Sequence, residues 1–201
     1  VVELDWAGAT AVIVASGPSA ARTPIELAIG RAKIIAVNNS WRLAPFADVL
    51  FGCDAAWWFH HDGVREFAGH RVTCSPAACR RFGLEMFITR GSNSGIRAVR
   101  LAEHFGARSI LLVGFDMHVA GGVHWHERHV GVLRNPTADT TLRWRAEIER
   151  DLRAGKFKAR IINCTPGSAL TCFPYLPFAE AIDDSHGEIR SDQPRHCARA
   201  G

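Results

Sequence analysis

The chain has 201 residues, a net charge of +4, 47% hydrophobic and 22% charged residues, which is the balance of a soluble globular domain with ample chain for a full core. No apolar run is long enough to span a bilayer, and no charged segment followed by an apolar one opens the sequence, so a cytoplasmic protein without an export signal is expected. The basic residues are nearly all Arg and are scattered rather than striped, so binding to nucleic acid is permitted but not indicated.

Six cysteines, Cys53, Cys74, Cys79, Cys164, Cys172 and Cys197, form no CxxC pair. A reducing compartment is expected, with no disulfide framework and no cysteine-based zinc site. In chain order, Thr10 to Ala15 (TAVIVA) predicts an apolar strand. Ser16, Gly17, Pro18 and Ser19 break it before a helix expected over 23–29. A strand that stops at a Gly-containing turn and opens a helix is a phosphate-cradling arrangement, although neither a Walker A loop nor GxGxxG is present. Lys33 to Val37 predicts the second strand, with Asn38, Asn39 and Ser40 at its end. The two amides can read a base or a ribose, or cap a short helix over 41–46. Capping needs only one Asn, which favours ligand contact.

Val49 to Gly52 predicts a third strand, followed by Asp54 as helix cap or site carboxylate. Trp57, Trp58 and Phe59 are expected to pack a helix on the sheet, with stacking on a base as the alternative. A fourth strand is predicted over 71–75, no clear element over 77–85, and a short strand over 87–89.

The most informative stretch runs from Arg90 to Met117. Gly91, Ser92, Asn93, Ser94 and Gly95 form a small polar loop whose amides can approach a ligand. Ile96, Val99, Leu101, Ala102 and Phe105 follow at helical spacing, and Gly106 is a natural stop. Ser109 to Val113 (SILLV) suits a strand covered on both faces, with Gly114, Phe115 and Asp116 at its C-terminal end. Open α/β sheets place ligands at that end, and helix N-termini favour anions, so a nucleotide is the expected ligand.

The segment 117–139 is irregular and rich in histidine: His118, His124, His126 and His129. One of these could be a general base near neutral pH, several could hold a metal with Asp116, or the cluster could be a solvated loop. The spacing does not match helical HExxH, so a single catalytic His is preferred and no metal site is assigned. An amphipathic helix is predicted over 141–156, a last strand over 160–164, a Thr165–Pro166–Gly167–Ser168 turn, and a short helix over 178–182. From 183 onward the chain is polar and aperiodic. The expected fold is one Rossmann-like α/β domain with a mostly parallel sheet over 1–182, and a loosely docked tail over 183–201. In such a fold the small polar turns gather on one sheet edge.

ASGPSA, AVNNSW, a strand ending at Asp54, GSNSGIRAVRLAEHFGARSILLVGFDM and IINCTPGSAL, taken together, resemble the MptE-like (DUF115) family. That family includes hydroxymethylpterin pyrophosphokinases and the Maf flagellin glycosyltransferases, and the motif order is also similar to bacterial lipooligosaccharide sialyltransferases. The resemblance covers roughly 10–170. It implies that Gly17, Pro18 and Ser19 approach nucleotide phosphates and that Asn38 and Asn39 contact ribose or base. Ser92, Asn93, Ser94 and Gly95 would complete the pocket, with Asp116 at its floor. Asp54 and Gly114, at strand ends, are further candidate nucleotide-binding residues. By the same resemblance His124 or His126 would be the base. The chain is short for the family, which suggests a compact phage or prophage member.

The favoured expectation is a glycosyltransferase that takes a sugar from a nucleotide-sugar donor to a hydroxyl acceptor: a small molecule, a glycan or a modified DNA base. The alternative is a pyrophosphokinase using ATP with Mg²⁺, for which Asp54 and Asp116 are the candidate metal carboxylates. A non-catalytic nucleotide-binding protein is the third reading. Oligomeric state is left open.

Overall fold

A computed structural model describes residues 2–184. Seven strands form one sheet: β1 (Thr10–Val14), β2 (Lys33–Val37), β3 (Val49–Gly52), β4 (His70–Thr73), β5 (Glu85–Met86), β6 (Ser109–Val113) and β7 (Arg160–Asn163). All pairs are parallel, and the spatial order is β5-β4-β3-β2-β1-β6-β7. The chain winds outward in one direction from β1 to β5, then returns to the other side of β1 with β6. The order therefore reverses between β1 and β6, and in open parallel sheets ligands bind outside the strand ends at such a switch point.

The strands are apolar on both faces because both faces are covered. Side chains alternate across a strand. Ile13, Ile35, Phe51 and Leu112 face α3 (Ser94–His104) and Ile148 of α4 (Ala138–Arg153). Val12, Val14, Leu50 and Val113 face Trp57 and Trp58 of α1 (Ala55–His60) and Phe178 and Ile182 of α5 (Phe178–Asp184). The expected single Rossmann-like domain with a mostly parallel sheet is thus the observed architecture.

Local departures from expectation have local causes. The helix expected over 23–29 is instead two 3-10 turns, Pro18–Arg22 and Ile25–Ala28. Pro24 lies between them at ψ 71°, and proline lacks the N–H an α-helix would use there. The helix expected over 41–46 is a 3-10 turn over Asn38–Arg42, starting on Asn38 itself. The unassigned segment 77–85 contains α2 (Pro76–Phe82), with Pro76 in its first turn, Ser75 accepting from the Ala78 N–H at 3.3 Å, and Gly83 in the left-handed region at its end. The short strand lies at 85–86 rather than 87–89, because Met86 pairs with Thr73, the last residue of β4. Helix α4 begins at Ala138, ahead of the expected 141, and the Thr137 hydroxyl caps it. The stop at Gly106 has φ 93° and closes α3 as expected. Of the expected tail, Asp183 and Asp184 end α5, and the rest lies outside the described residues.

Glu103 of α3 locks the second half of the sheet in place. Its side chain is 6% exposed and accepts the N–H groups of Lys158 at 2.5 Å and Ala159 at 3.1 Å, just before β7. Arg100, 3.1 Å away, neutralises it and reaches Asp151 of α4 at 3.5 Å while lying over the Phe157 ring. Replacing Glu103 with Ala removes the acceptor of the Lys158 and Ala159 amides and one of the carboxylates that Arg100 meets, and hydrogen bonds to a charged group are worth about 1.5–3 kcal/mol. Chemical denaturation of Glu103→Ala is expected to show a loss of that size, whereas a wild-type midpoint would show that water replaces the carboxylate.

Candidate functional site

The switch point brings together the turn after β1 and the turn after β6. Gly17 N–H donates to the Gly114 carbonyl at 2.9 Å. Asp116 is buried, and both of its oxygens are taken by Ser19: the Ser19 N–H donates to Oδ1 at 3.2 Å and the hydroxyl to Oδ2 at 2.8 Å. The carboxylate thus serves the first 3-10 turn and joins two chain segments far apart in sequence. The approach allows no side chain at Gly17, where a Cβ would overlap the Asp116 carboxylate and lie 2.5 Å from the Gly114 carbonyl oxygen. Gly114 is at φ 73°, and a Cβ there would meet the Ala15 carbonyl oxygen at 2.6 Å.

A second shell of turns holds the first. Thr165 Oγ1 accepts the Phe115 N–H at 3.0 Å, and the Ser168 hydroxyl donates to the Phe115 carbonyl at 2.5 Å. The Thr165–Ser168 turn therefore braces the 114–116 turn from the β7 side.

On the β2 side, Asn38 sits at φ 51°, in the left-handed region that Asn tolerates better than most residues. Its Oδ1 is buried and accepts no hydrogen bond among the described residues. Asn39 Oδ1 accepts the Trp57 indole N–H at 2.8 Å, which fixes the amide and turns its NH₂ toward His126 Nδ1, 3.5 Å away. Trp57 and Trp58 are buried and pack α1 on the sheet, and the exposed Phe59 packs on Phe82. Asp54 holds the N-cap position of α1 without a side-chain cap bond.

The 91–95 loop is built as a helix start. Asn93 Oδ1 accepts the Ile96 N–H at 3.0 Å and caps α3, while Asn93 Nδ2 donates to the Ser92 hydroxyl at 3.4 Å. Gly95 lies against the Phe115 ring, where a Cβ would come within 3.0 Å. Of the four residues expected to line a pocket here, Asn93 and Gly95 have these structural tasks. Beside Ser94 lies a pair that sequence reasoning read only as thiols. Cys53 and Cys74 follow neighbouring parallel strands, share a hydrogen bond at 3.5 Å, and stand near Arg97. The Cys53 contact and the Arg97 charge bring the Cys74 thiol down to about 6, while the same contact and burial push Cys53 up. Two cysteines 21 residues apart give no sequence signal; only the strand register juxtaposes them.

The histidine-bearing loop lies over the switch point. The Trp125 backbone N–H donates to the Ser16 carbonyl at 3.0 Å, and its indole N–H donates to the Ser40 hydroxyl at 3.2 Å. Ser40 in turn donates to the Ala15 carbonyl at 2.9 Å. One tryptophan therefore ties the loop to the ends of β1 and β2 and sets its two flanking histidines above them. His124 and His126 stack with ring centroids 4.7 Å apart and an interplanar angle of 9°, and His129 stands 4.8 and 5.0 Å from them. Burial pushes His124 down to about 4, and His126, His129 and Arg128 add to the shift while the Ser16 backbone opposes it. Burial likewise lowers His126 and His129. All three are neutral imidazoles at physiological pH. His126 Nδ1 is 2.7 Å from the Glu127 carbonyl, so that nitrogen carries the proton and Nε2 carries the lone pair.

His61, part of AAWWFHH, also belongs to this neighbourhood. Burial and then the charge of Arg42 push it down to about 4, with smaller effects from His60, His129 and His126. A hollow of about 280 Å³ lined by Ile29, Lys33, Phe46 and Asp48 lies at the opposite, N-terminal edge of the sheet. It is remote from these groups, and the chemistry is concentrated at the other edge.

Two outcomes follow from this geometry. Gly17→Ala forces either the Asp116 carboxylate or the 114 backbone to move, and overpacking of this kind costs about 1–3 kcal/mol. Denaturation of that variant should show the loss, and an unchanged midpoint would mean the two turns can part freely. His61 is held neutral down to about 4 in the fold but titrates near 6.5 when unfolded, so the unfolded chain binds more protons between those values. Its share of stability is complete above pH 6.5 and is lost as pH falls toward 4. His61→Phe, which keeps an aromatic ring against Trp57, should show a smaller drop in melting temperature over that window than wild type.

No family model matches the chain, and no curated protein matches it. Among solved structures, the fold is similar to that of a sialyltransferase, CstII from Campylobacter jejuni, in complex with a substrate analogue, cytidine-5′-monophosphate. The two chains are 13% identical, the similarity covers 86% of each, and the TM-score is 0.56. The likeness is one of fold.

Proposed function

We propose that the protein is a glycosyltransferase that uses a nucleotide-sugar donor, of the cytidine monophosphate type. The observation that carries this reading is the docking of a loop of neutral histidines, through Trp125, onto Ser16 and Ser40 above the β1–β6 switch point. The neighbour of similar fold is a sialyltransferase solved with cytidine-5′-monophosphate, and the motif order also resembles the MptE-like family. In this reading Gly17, Pro18 and Ser19 present the phosphate edge, with Ser92 and Ser94 across from it. The unpartnered Oδ1 of Asn38 accepts a donor from the base or ribose, and the Asn39 amide, fixed by the Trp57 indole N–H, stands beside His126.

The proton acceptor is His126. Its Nδ1–H is committed to the Glu127 carbonyl, which leaves Nε2 to take the proton of the acceptor hydroxyl as the oxygen attacks the anomeric carbon and the sugar–phosphate bond breaks, the nucleotide leaving with the bonding pair on its phosphate oxygen. Low basicity suits a group that must stay unprotonated as the reaction begins, although it weakens the driving force for proton transfer. Asp116 is a positioning residue here, since Ser19 uses both of its oxygens. The same bonds weigh against the pyrophosphokinase alternative, which needs that carboxylate for Mg²⁺.

A thermal-shift panel of CMP, UMP, GMP and ATP, in chelator and with added Mg²⁺, tests the reading. A ligand that binds only the folded state stabilises it by about 2.7 kcal/mol at a hundred-fold excess over Kd. CMP should raise the melting temperature in chelator, and a response to ATP with Mg²⁺ alone would transfer the assignment to diphosphate transfer. His126→Ala should keep the CMP shift and lose roughly 10²–10⁴-fold in turnover of a CMP-sugar. Equal turnover in the variant would remove His126 from the chemistry.

A further inference from the structure

We infer that His124, His126 and His129 form a binding site for one divalent transition-metal ion of the zinc class. Sequence reasoning assigned no metal here, because the spacing of these residues is not that of a helical zinc motif. A helical motif is needed only when the backbone itself must bring ligands to one face. In this loop Trp125 does that work: its two bonds to Ser16 and Ser40 hold the residues on either side of it together, and their rings stack. His129 closes the third side, with its backbone N–H held by Asn135 Oδ1 at 2.9 Å and its carbonyl by Asn135 Nδ2 at 2.8 Å. One ligand atom from each of the three histidines lies within 4.8 Å of the others.

Two further features separate a metal site from a solvated cluster. The Nε2 atoms of His124 and His126 are buried and have no hydrogen-bond partner among the described residues, whereas histidines on a solvated loop would find water. His126 has the outer contact typical of a ligand, since its Nδ1–H is held by a backbone carbonyl and Nε2 is left with the lone pair. Arg42 and Arg128 stand near the same rings. They oppose any cation held by charge alone. The set contains no carboxylate, so Mg²⁺ and Ca²⁺ are excluded by ligand type, and nitrogen coordination of Zn²⁺, Co²⁺, Ni²⁺ or Cu²⁺ is favoured. Three protein ligands leave a fourth tetrahedral position open to water or to an oxygen of a bound molecule.

This inference deepens the transferase reading and rests on it only for its consequence: with an ion seated, His126 Nε2 is a ligand rather than a proton acceptor. The two are tested apart, because metal binding needs no nucleotide and the CMP shift is read in chelator. Purified protein stripped with chelator is dialysed against Zn²⁺, and bound metal is counted. About one equivalent per chain is expected, with a rise in melting temperature. His129→Ala and His124→Ala should each weaken binding by at least about ten-fold, while His70→Ala, at the start of β4, leaves it unchanged. Cobalt on the wild-type chain decides the matter even where a variant fails to fold: the intense visible bands of a tetrahedral nitrogen-ligated ion are expected. Sub-stoichiometric zinc, binding that survives both variants, or a weak octahedral cobalt spectrum would each overturn the site.

Discussion

The Ser19–Asp116 contact is the constraint on which the rest of the site depends. A parallel sheet that reverses its winding direction leaves two strand ends side by side with their connections departing in opposite directions. The gap between them becomes a site only if the two turns are held in register. Here one buried carboxylate does this by accepting the N–H and hydroxyl of a single serine 97 residues away in sequence. The absence of a Gly17 side chain lets the carboxylate in, and Gly114 at φ 73° lets the other turn bend toward Ala15. Phe115, between Gly114 and Asp116, is buried against Gly95 and clasped on its backbone by Thr165 and Ser168. Three connections thus converge on one three-residue turn.

That convergence explains what was legible in the sequence. The strands could be read because burial on both faces demands short apolar runs, and TAVIVA, KIIAV and SILLV are such runs. The winding reversal could not be read, since strand order is set by which neighbours bury each face and no single segment encodes it. The small polar turns were expected at one edge, and those at 16–19, 38–40 and 91–95 were read chiefly as ligand contacts. Several also contact each other or their own helix: Asp116 takes Ser19, Asn93 takes the start of α3, and Thr165 takes Phe115. Glycine, serine and asparagine are as useful for close approach of two backbones as for approach to a phosphate, and composition does not separate the two uses. Pro24 and the Ser75–Pro76 start of α2 were local signals that a reading by hydrophobic period passes over.

The loop over the site shows the opposite case, in which a histidine-rich composition hid its organising residue. HWHERH draws attention to its histidines, but Trp125 is what gives them a common geometry. A tryptophan in a loop would ordinarily be placed in the core by its size. Here its backbone and indole N–H groups both go to turn residues at the sheet edge, so the loop is fixed at two points on either side of its own backbone. Residues at alternating positions then fall on one side, as they would in a strand, and stack.

Burial of these rings fits two chemistries at once. Desolvation lowers the affinity of imidazole for protons, and it does so by penalising the charged ring. A lone pair kept free of protons is available both to a hydroxyl hydrogen and to a metal ion. The difference lies in number. A base requires one free nitrogen near the reacting group, and its neighbours only need to stay out of the way. Two stacked imidazoles with a third at 4.8 Å can accept one proton between them but not several, because a charge on one ring raises the cost of charging the next. The same crowding costs a neutral trio nothing and suits one ion shared among three nitrogens. The close set of three nitrogens therefore offers one proton acceptor, at His126, while no ion is seated, and three ligands when one is.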